Sequence, residues 1–473
     1  LGTDDGGRAL PSEIRDNSPL REGNLFQEGL TPEELAEMGR LLQVNYNVED
    51  RTVMPDTSLS LTLGDKFKVK ERPMGFLLAL GHGRDHSFRE EINRRFVASD
   101  TAVGGLELNN DFQIAQLSQT VSGSAIFAAG IEPEDGDDIK ATTLLLRITD
   151  NETASVRGRS DDLGRDIRRS RLRFVERQLF TQQLSGRHRI DHANKGIAEW
   201  RYSFSRATRD EPDRREYFYA DDSADPDAPP ADFQISARPA GNQRVWSDLF
   251  DSIHDFGLDY TQPFPIWSEG TAKAKIGATA VFRAREYDTL RTTLRAPRRL
   301  ADEDRRLTPE EIWSRENINA EDGWILEDTT QPTDAYSAEQ QIQAGYAMVE
   351  LPLREKLELV AGARVERSRQ RVVTFSPFDK DEVPLETELD NTDILPSLAG
   401  KYQLSDELVL RGGYGRTVTR PDFRELSESQ FRDVVTATRF VGNPELVRGT
   451  IDNVDARLEY YFSSDAVSYT HLR

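Results

Sequence analysis

The sequence predicts an all-β chain, a transmembrane antiparallel β-barrel wall of about thirteen strands with long outer loops that carry short helices. Three observations point there: residues alternate with a period of two over most of the chain, connections alternate between short and long, and no apolar run reaches the roughly 18 residues a membrane helix requires.

The alternation is explicit. Trp200, Tyr202 and Phe204 are separated by Arg201, Ser203 and Ser205, so one face of that strand is aromatic and the other polar. Ala278, Ala280, Phe282 and Ala284 alternate with Thr279, Arg283 and Arg285, although Val281 interrupts the polar face. Leu357, Leu359, Ala361, Ala363 and Val365 face away from Glu358, Arg364 and Glu366. Val454, Ala456, Leu458, Tyr460 and Phe462 oppose Asn453, Asp455, Arg457 and Glu459. Read this way, strands cover 55–64, 75–88, 112–131, 139–150, 168–185, 196–209, 244–262, 271–293, 336–351, 358–374, 393–402, 408–419 and 449–462.

The connections have a rhythm. Short ones hold Gly64-Asp65-Lys66, Glu134-Asp135-Gly136-Asp137, Ser185-Gly186-Arg187, Pro263-Phe264-Pro265, Pro352-Leu353-Arg354 and Ser405-Asp406-Glu407; long ones fall at 89–111, 151–167, 210–243, 294–335, 375–392 and 420–448. Such parity puts tight turns at one end of the wall and bulky loops at the other, the rhythm of an outer-membrane barrel and not one that a soluble sandwich or propeller requires. Phe67, Phe76, Phe264, Trp267, Tyr402, Tyr460, Tyr461 and Phe462 sit beside short turns, where an interfacial girdle would lie; core filling in a soluble β-domain is the alternative.

Before the first strand, residues 1–54 read as a polar extracellular loop region with one short helix, begun by Thr31-Pro32-Glu33-Glu34. A second capped start, Thr308-Pro309-Glu310-Glu311, lies in the loop 294–335, and both helices read as loop decorations. The wall proper is 55–466. Residues 467–473 break the alternation and read as a non-native tail.

Composition narrows function. The net charge of −22 repels nucleic-acid phosphate, and the lack of cysteine removes disulfides, thiolate metal sites and cysteine nucleophiles. No catalytic, cofactor-binding or metal-binding residues are assigned. His82 and His86, and likewise His188 and His192 around Asp191, share a spacing of four, but on strands and turns that spacing creates no common helical face for zinc. The acidic run Asp221-Asp222-Ser223-Ala224-Asp225-Pro226-Asp227 lacks the glycine and terminal glutamate of an EF-hand and reads as solvated loop. Gly413-Tyr414-Gly415 lies within a strand, away from any helix start that would make a phosphate loop. Arg171, Arg173, Arg177, Arg201, Arg283, Arg285 and Arg364 fall on polar strand faces, where they either pair with acids of neighbouring strands such as Glu199 and Glu366 or line a path for an anionic substrate.

Asp393-Ile394-Leu395-Pro396-Ser397-Leu398, Lys401 to Leu404, and Leu408 to Arg411 lead into Arg416-Thr417-Val418-Thr419-Arg420-Pro421-Asp422-Phe423-Arg424-Glu425-Leu426. Together with Gly442-Asn443-Pro444-Glu445-Leu446, Ile451-Asp452-Asn453, Leu458 to Tyr461 and the upstream Ser203 to Asp213, this resembles the barrel of TonB-dependent receptors. The resemblance implies a 22-stranded outer-membrane barrel around a plug. It also implies import of a scarce substrate of the siderophore, cobalamin or glycan type, with energy relayed by the TonB protein, and no enzyme activity. Partners are then TonB through a plug segment, outer-membrane lipid and the substrate, with no cofactor. No plug or TonB-contacting segment is recognised in the sequence, and thirteen strands do not close such a barrel, so the chain reads as a barrel fragment. Ligand contacts are expected in 210–243, 294–335 and 420–448, without individual residues. The alternatives are a passive porin-like barrel, or a secreted all-β carbohydrate-binding protein or glycosidase.

Overall fold

A computed structural model describes residues 2–23, 28–49, 52–98, 104–160, 163–190, 195–222, 232–238, 241–266, 270–375, 384–432, 439–463 and 466–472. Eighteen strands occur among them: β1 Thr57–Val69, β2 Arg72–Ala98, β3 Leu106–Ile131, β4 Asp138–Ser160, β5 Arg165–Ile190, β6 Gly196–Asp221, β7 Phe233–Ile235, β8 Asn242–Ile266, β9 Gly270–Arg295, β10 Ile325–Asp328, β11 Ala335–Arg354, β12 Leu357–Phe375, β13 Leu385–Gln403, β14 Leu408–Thr419, β15 Gln430–Arg432, β16 Arg439–Val441, β17 Gly449–Ser463 and β18 Ala466–Leu472. Four short α-helices accompany them: α1 Ser12–Asp16, α2 Pro32–Leu41, α3 Pro309–Ile312 and α4 Phe423–Leu426.

The wall is one antiparallel sheet in the order β1-β2-β3-β4-β5-β6-β8-β9-β11-β12-β13-β14-β17-β18, with β7 added to β6 and β10 to β9. β1 and β18 do not pair with each other, and β15 pairs with β16 as a separate hairpin. Among the described residues no helix is long and apolar enough to cross a membrane.

All thirteen strands read from the sequence exist, but they run well beyond the lengths given to them. β2 to β9, β7 aside, are 23 to 27 residues long, where a tilted membrane strand needs about 9 to 11. The segments read as loops at 89–111 and 151–167 are mostly ladder, and 210–221 continues β6. The reason is physical: where neither face must be apolar, alternation fades while backbone pairing continues. Side-chain pairs such as Arg94–Asp111 and Arg159–Asp166 lie in these extensions. Large connections remain at 222–241, 296–334 and 420–448, all at one end of the wall; of the loop expected at 375–392, residues 385–392 belong to β13 and 376–383 lie outside the described residues.

Turn positions shift for related reasons. Gly64-Asp65 does not end β1, which continues to Val69 and closes on β2 through Lys70 and Glu71, both with positive φ (50° and 68°), as a two-residue hairpin of matching twist demands. β5 likewise passes through Ser185-Gly186-Arg187 to Ile190. Pro263 and Pro265 belong to β8; past Thr261 that strand is paired only with β9, an edge position that tolerates proline. Pro352 sits at a bulge in β11, and the chain reverses at Glu355-Lys356. Of residues 467–473, read as a tail without alternation, 467–472 belong to β18 and pair with β17, and 473 lies outside the described residues: pairing needs backbone hydrogen bonds, not a two-faced side-chain pattern.

Cross-strand registers separate the two faces. One row joins Trp200, Leu258, Ala278, Gly345, Val365 and Ile394; the next, one residue along each strand, joins Arg201, Gly257, Thr279, Ala344, Glu366 and Asp393. The first belongs to a belt of exposed apolar side chains, with Leu80, Phe127, Leu145, Phe256, Ile276, Leu398, Leu410, Val454 and Leu458. Of the girdle residues, Phe67, Phe76, Phe264, Tyr402, Tyr460 and Phe462 share the belt's parity, Tyr461 turns to the other face and bonds Glu459, and Trp267 lies outside the described residues.

Candidate functional site

The second face is charged. Every arginine expected there has a carboxylate within reach: Arg171 meets Glu152, Arg173 lies 2.7 Å from Glu211, Arg177 2.5 Å from Asp150 and Arg201 3.3 Å from Asp259. Arg283 and Arg285 share Asp251 at 2.7 and 2.6 Å, and Arg364 reaches Glu366 at 2.6 Å. Glu366 is thus the partner expected of it, whereas Glu199 faces Arg187 and Lys275. Asp150, Glu152, Glu211, Asp251 and Asp259 went unread because nothing in their own strands singles them out from the other acids there; only the register sets them beside arginines distant in sequence.

Two glycines make room for this network. A Cβ on Gly257 would sit 2.5 Å from the Arg201 guanidinium, and one on Gly277 would clash with both Asp259 and the Tyr346 ring. Gly277 therefore permits the Tyr346 hydroxyl to donate to Asp259 across β9.

The connection 420–448 folds onto this face. Asp422 caps α4, and Phe423 packs with Tyr336, Ala338 and Val372 while Arg283 stacks over its ring at 4.8 Å. Arg420 reaches Glu366 at 2.7 Å, Asp422 meets Arg285 at 3.1 Å, and Arg448 meets Asp393 at 2.9 Å. A segment read as one of the long outer loops is thus pinned to the charged face by its own arginines.

The other two large connections assemble on the belt's face, above the belt. A bulge between Glu211 and Arg214 changes the parity of β6, so Arg215 and Tyr217 join Arg244 and Trp246 of β8 there. Against them pack Ile14, Leu20, Leu35, Leu42 and Tyr46 from residues before β1, together with Ile312, Trp313, Ile318 and Trp324 from 296–334. Trp313, fully buried, has ring centroids 4.8 Å from Tyr46 and 5.9 Å from Trp324. The capping boxes at Thr31 and Thr308 are formed, but α2 and α3 are parts of one core instead of separate decorations, and Glu310 accepts from the backbone N–H groups of Tyr46 and Asn47. Asp213 lies buried between Arg215 and Arg244.

Burial acts on the acids of this end in two directions. Desolvation would raise Glu211, but Arg214, Arg209 and Arg173 overcome it and hold the carboxyl at about 2. Asp210, Asp248 and Asp288 stand directly opposite one another on β6, β8 and β9. Desolvation is the first cause raising each, reinforced by neighbouring acids such as Glu176 for Asp210 and Glu286 for the other two. They border a cavity of about 450 Å³ roofed by Ala9, Leu10 and Arg15.

His82 and His86 sit on β2, where His86 contacts Asp56 and Gln119. His188 contacts Asp137 at 3.2 Å and accepts from the Trp200 indole; His192 and Asp191 lie outside the described residues. Of the acidic run, Asp222 pairs with Arg165 and Asp221 accepts from the Asp232 backbone, while 223–227 lie outside the described residues.

Against known proteins, residues 135–470 match the family described as TonB dependent receptor-like, beta-barrel. The chain belongs to that family. Among solved structures, the ferric yersiniabactin uptake receptor FyuA from Yersinia pestis is similar at 10% identity and a TM-score of 0.42, over 89% of this chain and 54% of that one. The ferripyoverdine receptor of Pseudomonas aeruginosa, bound to ferripyoverdine, is similar at 12% identity and 0.40, over 87% and 46%. The siderophore receptor PiuA from Acinetobacter baumannii is similar at 8% identity and 0.40, over 89% and 57%. This TonB-dependent receptor barrel therefore spans about half the length of the receptors it resembles. A search of curated protein sequences finds no match.

Proposed function

We propose that the chain forms the wall and capture end of an outer-membrane receptor that imports a scarce substrate of the siderophore, cobalamin or glycan type, with energy coupled through TonB. The observation that carries this reading is the two-ended wall. Its apolar belt is backed by a charged face, and all three large connections gather at one end, where 420–448 turns inward and 222–241 and 296–334 build up the rim. Membership in a receptor family and the siderophore-receptor neighbours support the same reading. In it, the belt faces lipid, the charged face lines the lumen, and substrate is taken at 210–243, 294–335 and 420–448. TonB acts through a plug segment.

The test uses cells expressing the gene that encodes this chain, offered a panel of ferric siderophores, cobalamin and oligosaccharides. Uptake of at least one compound that disappears when TonB is deleted is expected. Equal uptake without TonB would identify a passive pore instead, and recovery of the protein from the medium would identify a secreted protein.

A further inference from the structure

On β12 and β13 the belt ends abruptly in a charged column. Val365 and its partner Ile394 are 50% and 66% exposed. The next three positions of the same parity on β12 are Arg367, Arg369 and Arg371, spaced about 7 Å apart. Each offers Nε and Nη2 to one carboxylate of β13: Arg367 to Asp390, Arg369 to Glu388 and Arg371 to Glu386. Arg416 of β14 does the same with Asp452. All four arginines use the same edge of the guanidinium; within the described residues the Nη1 groups of Arg367, Arg369 and Arg371 make no hydrogen bond, while Arg416 also meets the Tyr414 hydroxyl.

Exposed ion pairs of this kind add little to stability, because water and salt screen them, so stability does not account for four of them at the margin of the belt. A carboxylate that fixes one edge of a guanidinium does have a second consequence: the remaining N–H groups are held for another acceptor at little entropic cost. Arg369, Arg371 and Glu386, with Glu339 and Gln341 of β11, border a shallow cavity of about 340 Å³ on this face. A compact anion with several acceptor oxygens suits the free edges, and phosphate is the group that arginine forks match.

We propose that Arg367, Arg369, Arg371 and Arg416 form a collar that binds the phosphate groups of lipid headgroups in the leaflet on the long-loop side. The inference rests on the membrane reading above. The belt supplies the acyl contacts and the collar the polar ones, so free phosphate, which gains nothing from the belt, binds far more weakly.

The test is lipid retention by the full chain folded in zwitterionic detergent and doped with diphosphoryl lipid A or with its dephosphorylated form. Wild type is expected to retain the phosphorylated lipid at least tenfold better, with millimolar inorganic phosphate a poor competitor. R367A/R369A/R371A is expected to lose that preference and R367K/R369K/R371K to keep part of it, since charge remains but the second donor edge does not. Equal retention of the two lipids by wild type, or an unchanged preference in a folded alanine variant, overturns the collar while leaving the barrel intact. A chain that remains soluble without detergent overturns the membrane reading and the collar together.

Discussion

Above the apolar belt, the same face of the sheet meets two fates. On β6, β8 and β9 it is roofed by residues of 2–23, 28–49 and 296–334, and on β12 and β13 it stays bare. The difference lies in the residues that each strand carries beyond the belt. On β8 and β9, aspartates 248 and 288 are succeeded outward by Trp246, Leu290 and Leu294, apolar groups that water will not cover cheaply, so another part of the chain does. On β12 and β13 the succession is arginine against carboxylate, which satisfies itself in water. A sheet face is thus left bare or covered by protein according to the side chains it carries at each height.

The roofed region is the easier to break. Trp313→Ala should remove about 3–5 kcal/mol from the packing of residues 28–49, seen as rapid hydrogen exchange of that segment while the belt rows of β8 and β9 keep their protection. Asp213→Ala leaves Arg215 and Arg244 buried without their carboxylate and should cost about 3 kcal/mol by the same readout.

Acidity separates the acids on the two faces of this end of the wall. The raised pKa values of Asp210, Asp248 and Asp288 mean that the folded state binds protons more readily, so their mutual repulsion is relieved, and the roof tightens, as the pH falls through those values. Glu211 has the opposite sign: its stabilisation is complete above the ordinary glutamate value of about 4.3 and is lost as the pH falls toward about 2. Protection of residues 2–23 should therefore rise on mild acidification, whereas protection of β6 around Glu211 should fall below about pH 4. Asp248→Asn should flatten the rise and add up to about 1 kcal/mol at neutral pH. The smallest effect belongs to the bare region, where Arg369→Ala should leave the unfolding midpoint unchanged within error, its ion pair being screened by water.

Much of this wall was legible. The thirteen strands, both capping boxes and the faces of the seven arginines come from period two and from local hydrogen-bond chemistry, which the sequence writes in adjacent residues. The long-range contacts were not legible. Asp259 meets Arg201 and Tyr346 only through register, and Tyr46 meets Tyr217 and Trp313 only because a bulge turns β6 over. Strand ends at Gly64 and near Arg89 were missed because turn-forming and polar residues are tolerated in a ladder held by backbone hydrogen bonds. The role of Phe423 had a signal, an Asp-x-x-Glu capping box in 422–425 with no strand pattern after it, but nothing local told which face it would cover.

The account's central claim is that neighbouring residues on one strand face lipid and an enclosed polar space by turns. The chain has no cysteine, so single cysteines can be placed at will. Spin labels at Ala361, Ala363 and Val365 should relax with lipid-soluble oxygen, and labels at Gly362, Arg364 and Glu366 with a water-soluble nickel reagent, in strict alternation along β12. Uniform access of the aqueous reagent at all six positions would contradict it.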